Sequence, residues 1–91
     1  MLNREQLIAN MYTQLKTGCK TETVAIIDDS AQHVGHSGHQ GAGHFTVNIV
    51  STEFCDKSLV KRHQLVYQAL GNYIGQEIHA LCIHAKTPDE I

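Results

Sequence analysis

Apolar positions near the start of the chain recur at helical spacing. Leu7, Ile8, Met11, Tyr12 and Leu15 share one face of a helix expected over residues 2–17. Asn3 is the expected N-cap, Gln6 completes a capping box, and Gly18 is the expected stop. Residues 22–28 are rich in β-branched side chains and read as a strand. Residues 44–51 alternate: Phe45, Val47 and Ile49 point one way, His44, Thr46 and Asn48 the other. Alternation of that kind marks a half-buried strand, expected antiparallel to the first. A second helix is expected over residues 58–70, capped by Ser58 or Asp56, with Leu59, Val60, His63, Val66, Tyr67 and Leu70 on or near one stripe. Gly71 and Gly75 bracket a turn or a one-turn helix, and residues 77–85 read as a last strand. Pro88 cannot extend a ladder, so residues 87–90 read as a tail. The resulting order is αββααβ, an α+β two-layer sandwich with helices on one face of a three-stranded sheet.

With 91 residues, 42% of them hydrophobic and 18% charged, the chain is expected to form a single globular domain over residues 1–91. No apolar run approaches the roughly 18 residues of a membrane helix. The first residues carry no apolar signal region, and the expected location is cytoplasmic. Three cysteines without a CxxC pair suit a reducing compartment better than a disulfide framework. A formal net charge of −2 argues against strong non-specific binding to nucleic acid, although a local basic patch stays open.

Seven histidines change the picture. His33, His36 and His39 follow one another at three-residue steps among glycines, and His44 stands at the exit of that segment. Imidazole is the commonest metal-ligating side chain. The segment reads either as a metal-contacting loop or as a solvated polar loop, because its spacing matches no strict zinc pattern. His79 and His84, five residues apart, fall on opposite faces of a regular strand. Lys61 and Arg62 are expected off the apolar stripe, either touching phosphates or simply solvated. Cys82 is expected buried and inert, whereas Cys55 lies in a loop. No nucleophile–base pair, carboxylate pair or phosphate-binding glycine loop stands out, so no enzymatic activity is expected.

Several segments taken together resemble the BolA family. They are Asp28-Asp29-Ser30 leading to His33, Gly43-His44-Phe45, the run from Ser58 to Tyr67 containing Lys61-Arg62-His63, Ile78-His79-Ala80-Leu81, and Ala85 to Glu90. The resemblance covers almost the whole chain and implies a fold similar to a class II KH domain. It also implies a non-enzymatic protein that pairs with a monothiol glutaredoxin and shares a [2Fe–2S] cluster bound with glutathione. His79 is then one cluster ligand and His33 the second, with His36 in reserve. The isolated chain is expected to carry no cofactor and to be a monomer. The other role the resemblance implies is DNA binding as a transcriptional regulator, through Lys61 and Arg62 in the KH-like region from residue 58 to the last strand, which can also be read as a helix-turn-helix. Against it, the glycine pair Gly71 and Gly75 does not form the Gly-x-x-Gly loop of KH domains.

Overall fold

The computed structural model describes residues 3–29 and 43–91. Helix α1 (Arg4–Gly18) is followed by strands β1 (Thr23–Asp28) and β2 (Gly43–Val50), helix α2 (Leu59–Ala69) and strand β3 (Ile78–Lys86). Short 3₁₀ turns occupy Thr52–Phe54 and Pro88–Glu90. Asn3 caps α1 by accepting from the Gln6 amide, and the Gln6 side chain accepts from the Asn3 amide in return. Two of the helix's orphan donors are thereby satisfied. Ser58 caps α2 through the Lys61 amide.

The sheet order is β1-β2-β3, with β1 antiparallel and β3 parallel to the central strand. A parallel neighbour requires a crossover, and α2 lies within it. Both helices pack on one face, where Leu7, Met11 and Leu15 of α1 meet Phe45, Val47 and Ile49 of β2 and Val66 of α2. The other face of the sheet, carrying Ile27, Thr46, Asn48, Cys82 and His84, has no helix over it among the described residues.

Residues 71–77 form hydrogen-bonded turns with a single bridge from Ile74 to Ile78, so two α-helices stand where three were expected. Gly75 at φ 81 supplies the left-handed residue of this connection. The helix-turn-helix alternative lacks its second helix for the same reason. α1 ends at Gly18 as expected, and the left-handed residue that follows it is Lys20, at φ 52, not the glycine. A Cβ at Gly18 would instead lie 2.8 Å from the Ala69 Cβ, so glycine permits close approach of the two helices.

Arg62, expected off the apolar stripe, is only 8% exposed. The row Arg62, Val66 and Leu70 faces the core, while Leu59 and Val60 are each 66% exposed. The apolar stripe is thus rotated from its expected position, because the long stem of arginine can be buried while its head is paired. The guanidinium donates to both Glu90 carboxylate oxygens, at 2.6 and 3.1 Å, and to the carbonyls of Ala85 and Lys57. Glu90 also accepts from the Thr87 amide at 2.7 Å. The C-terminal turn is therefore clamped onto α2 and β3 by a bidentate pair.

The clamp has a pH signature. Hydrogen bonds from Arg62, then the Thr87 amide, hold the Glu90 carboxyl at about 2, below its ordinary 4.5. A depressed folded-state value means the clamp's stabilisation is fully present above about pH 4.5 and is lost as pH falls toward 2. Thermal melts of wild type and Glu90→Gln are expected to differ most near neutrality and to converge between those two values. An equal difference at both ends would show that the pair does not act through charge.

Candidate metal-ligand site at the sheet end

The site is built on an irregularity. Gly43 pairs with Ile78, but the next residue, His44, pairs with Ala80, so His79 is the extra residue of a β-bulge. A Cβ on Gly43 would sit 2.5 Å from the Glu77 carbonyl oxygen and 2.5 Å from the Phe45 ring, so only glycine lets the strands approach here. The bulge resets the alternation of β3. Ile78 is buried before it; after it, Leu81, Ile83 and Ala85 turn toward the helices and Ala80, Cys82 and His84 are exposed.

His79 is itself exposed, and its ring centroid lies 5.3 Å from that of His44, with the planes inclined at 47°. The expected opposition of His79 and His84 assumed a regular strand and does not hold. Cys82, expected buried, is also exposed, and its Sγ lies 3.6 Å from His84 Nε2. The buried thiol is Cys19, whose pKa is pushed up by burial and, secondarily, by the Glu53 charge. Cys55 is exposed, as its loop position suggested.

Neighbouring groups brace this end of the sheet. The Asp29 amide donates to the His44 carbonyl at 2.7 Å, and the Thr46 hydroxyl donates to the Asp29 carboxylate. Arg4 lies 3.7 Å from Asp28 and 5.5 Å from the centre of the Phe45 ring. Asp29, His44, Phe45, Ala80, Leu81 and Cys82 line a shallow depression of about 230 Å³. Among the described residues no group of three or more histidine, cysteine or carboxylate side chains is arranged to hold a metal ion. His33, His36 and His39 lie outside the described residues. The segment that contains them joins Asp29, just after β1, to Gly43, which pairs with Ile78 next to His79. Lys61 is exposed, but Arg62 is committed to Glu90 and does not sit on a solvated face.

A BolA-like protein family model matches residues 15–90. The chain belongs to the BolA family. It is 47% identical over 70 residues to SufE-like protein 1, chloroplastic/mitochondrial, of Arabidopsis thaliana, covering 70% of this chain and 19% of that protein. Against Protein BOLA1, chloroplastic, of the same plant, it is 40% identical over 90 residues, covering 94% of this chain and 56% of the relative. The chain thus spans about a fifth of one relative and little more than half of the other. A protein of Haemophilus influenzae named DNA-binding transcriptional regulator BolA is 39% identical over 62 residues, covering 68% of this chain and 60% of that one. The solved structure of the BolA domain of SufE1 from A. thaliana superposes with a TM-score of 0.80 at 37% identity, over the full length of both chains. The α+β architecture, two helices on a mixed three-stranded sheet, is that of the BolA structures and is class II KH-like. No helix among the described residues is long and apolar enough to cross a membrane.

Proposed function

We propose that this BolA-like chain supplies one half of a ligand set for a [2Fe–2S] cluster, the other half coming from a monothiol glutaredoxin and its bound glutathione. The observation that carries the proposal is His79, an exposed imidazole presented by a bulge in a strand hydrogen-bonded along its length. Backbone pairing on β2 and the close approach at Gly43 hold that imidazole in place without a loop of its own. The donor chemistry fits, since neutral imidazole nitrogen is a ligand for iron. His33 is the proposed second ligand and His36 its reserve, carried by the segment that ends at Gly43, the pairing partner of Ile78 next to His79. When bound, such a cluster supplies electron storage and transferable iron and sulfide, and histidine ligation raises its potential relative to all-cysteine ligation. The chain's own part is to bind, orient and release, without catalysis. The role is cluster trafficking or iron homeostasis, in a reducing compartment.

DNA binding through Lys61 and Arg62 is disfavoured on this geometry, because the Arg62 guanidinium already meets a carboxylate and two carbonyls. The deciding experiment reconstitutes the full chain with a monothiol glutaredoxin, glutathione, iron and sulfide, followed by visible absorption and circular dichroism. A spectrum distinct from that of glutaredoxin alone is expected. It should be lost in His79→Ala, kept in His84→Ala, and weakened in whichever of His33→Ala and His36→Ala removes the second ligand. A spectrum that stays that of glutaredoxin alone would defeat the proposal and turn attention to salt-dependent DNA binding, which falls steeply with ionic strength when phosphates drive it.

A further inference from the structure

A second donor set stands on the same strand, independent of the cluster reading. Cys82 and His84 are two residues apart on the regular part of β3, beyond the bulge, so their side chains leave the same face of the sheet. Both are exposed, on the face that carries no helix among the described residues. Their partners across the parallel ladder are Thr46 and Asn48, short side chains on the same face. His79 lies three positions back along the strand, roughly 10 Å at the usual rise per residue.

The separation of the two donor atoms is the telling quantity. Cys82 Sγ and His84 Nε2 are 3.6 Å apart. In a tetrahedral zinc site the metal–sulfur bond is about 2.3 Å and the metal–nitrogen bond about 2.0–2.1 Å. At the tetrahedral angle those bonds place sulfur and nitrogen about 3.6 Å from each other. The pair already has the bite of a zinc chelate, and the backbone beneath it is held by the ladder with β2. Little rearrangement is needed for the ion to enter.

We propose that Cys82 and His84 form a two-donor site for a thiophilic, zinc-class cation on the uncovered face of the sheet. In the metal-free chain the thiol Sγ–H and the imidazole Nε2 are hydrogen-bonded, with the direction set by the imidazole tautomer. On binding, the thiol proton leaves to solvent, the thiolate sulfur and the neutral imidazole nitrogen each donate a pair to the metal, and no electron is transferred. One sulfur and one nitrogen select zinc or copper(I) over magnesium or calcium, which take oxygen ligands. Two coordination positions remain for water or an external ligand, which makes the site open and exchangeable rather than a closed structural one.

Cobalt(II) is the probe, because a thiolate bound to it gives a sulfur-to-metal charge-transfer band that imidazoles alone do not. Titrating the full chain in a Cys55→Ser background, which removes the other exposed thiol, is expected to give that band with one cobalt per chain. Zinc should bleach it by competition. Cys82→Ser should abolish the band, His84→Ala should weaken cobalt binding at least tenfold, and His79→Ala should leave both unchanged. Far-ultraviolet circular dichroism checks that each variant is folded, as substitutions at exposed strand positions should be. Absence of the band in the Cys55→Ser chain, its survival in Cys82→Ser, or unchanged affinity in His84→Ala would each overturn the proposal. Cobalt held only by the histidines of residues 33–39 would give no thiolate band and would count against it equally.

Discussion

Valine at Gly43 is expected to destabilise the domain and, separately, to disable the His79 site. The nearest obstacles to a Cβ are a backbone carbonyl, Glu77 O, and the ring of Phe45, which is itself fully packed. Neither is the free end of a flexible side chain, so the strands must part. Forcing extra carbon into packed surroundings costs about 1–3 kcal/mol, and β-branching should put Gly43→Val toward the upper end. The larger consequence is geometric. The strands would part where the bulge holds His79, so the imidazole would lose its placement beside His44. Denaturant unfolding should show the lower stability. The reconstituted glutaredoxin mixture should show the mixed-cluster spectrum reduced even under conditions where the variant is still folded. Retention of the full spectrum in folded Gly43→Val would mean that the bulge does not position the proposed ligand, His79.

Alanine at Phe45 separates the two effects. Phe45 is 2% exposed and sits at the centre of the helix–sheet interface, with the Arg4 guanidinium over its ring. Truncating a buried phenylalanine costs about 3–5 kcal/mol, from lost transfer energy and the cavity left behind. For a domain of this size that is a large part of the total stability, and a fall of more than about 10 °C in melting temperature is expected. Gly43 and Ile78 are held together by backbone pairing, so whatever fraction remains folded is expected still to support the cluster spectrum. Phe45→Ala losing stability alone, and Gly43→Val losing both, is the pattern that assigns the core to one residue and the presentation of His79 to the other.

Local signals carried most of the architecture. The capping box at Asn3 and Gln6, the apolar face of α1 and the alternation in β2 are contacts between residues near in sequence, or a periodicity that one face of the core reads directly. The antiparallel pairing of β1 and β2 followed from the same patterns. The resemblance to the BolA family, carried by runs such as Ile78-His79-Ala80-Leu81, is met by a family model over residues 15–90.

What failed was decided by distant parts of the chain. Arg62 looked like a surface charge because its partner, Glu90, lies 28 residues away in a segment that reads as a tail. Burial of a charge is legible only when its counter-charge is known to arrive, and hydrophobic periodicity counts arginine as polar. Cys82 looked buried because its neighbours Leu81 and Ile83 are apolar, yet those neighbours alternate with it across the sheet. His79 and His84 looked opposed because strand parity was counted through a bulge that exists only where Gly43 meets the Glu77 carbonyl.

The sequence by itself determined the two α-helices, the three strands, the capping box of α1 and the identity of the family, since these rest on short-range spacing and on residue runs. Only the tertiary structure decided which face each β3 side chain presents, which cation is buried, and that a thiol and an imidazole meet at a metal chelate's spacing. Those depend on strand register and on pairs far apart in the chain, and a single inserted residue in a ladder reverses every parity that follows it.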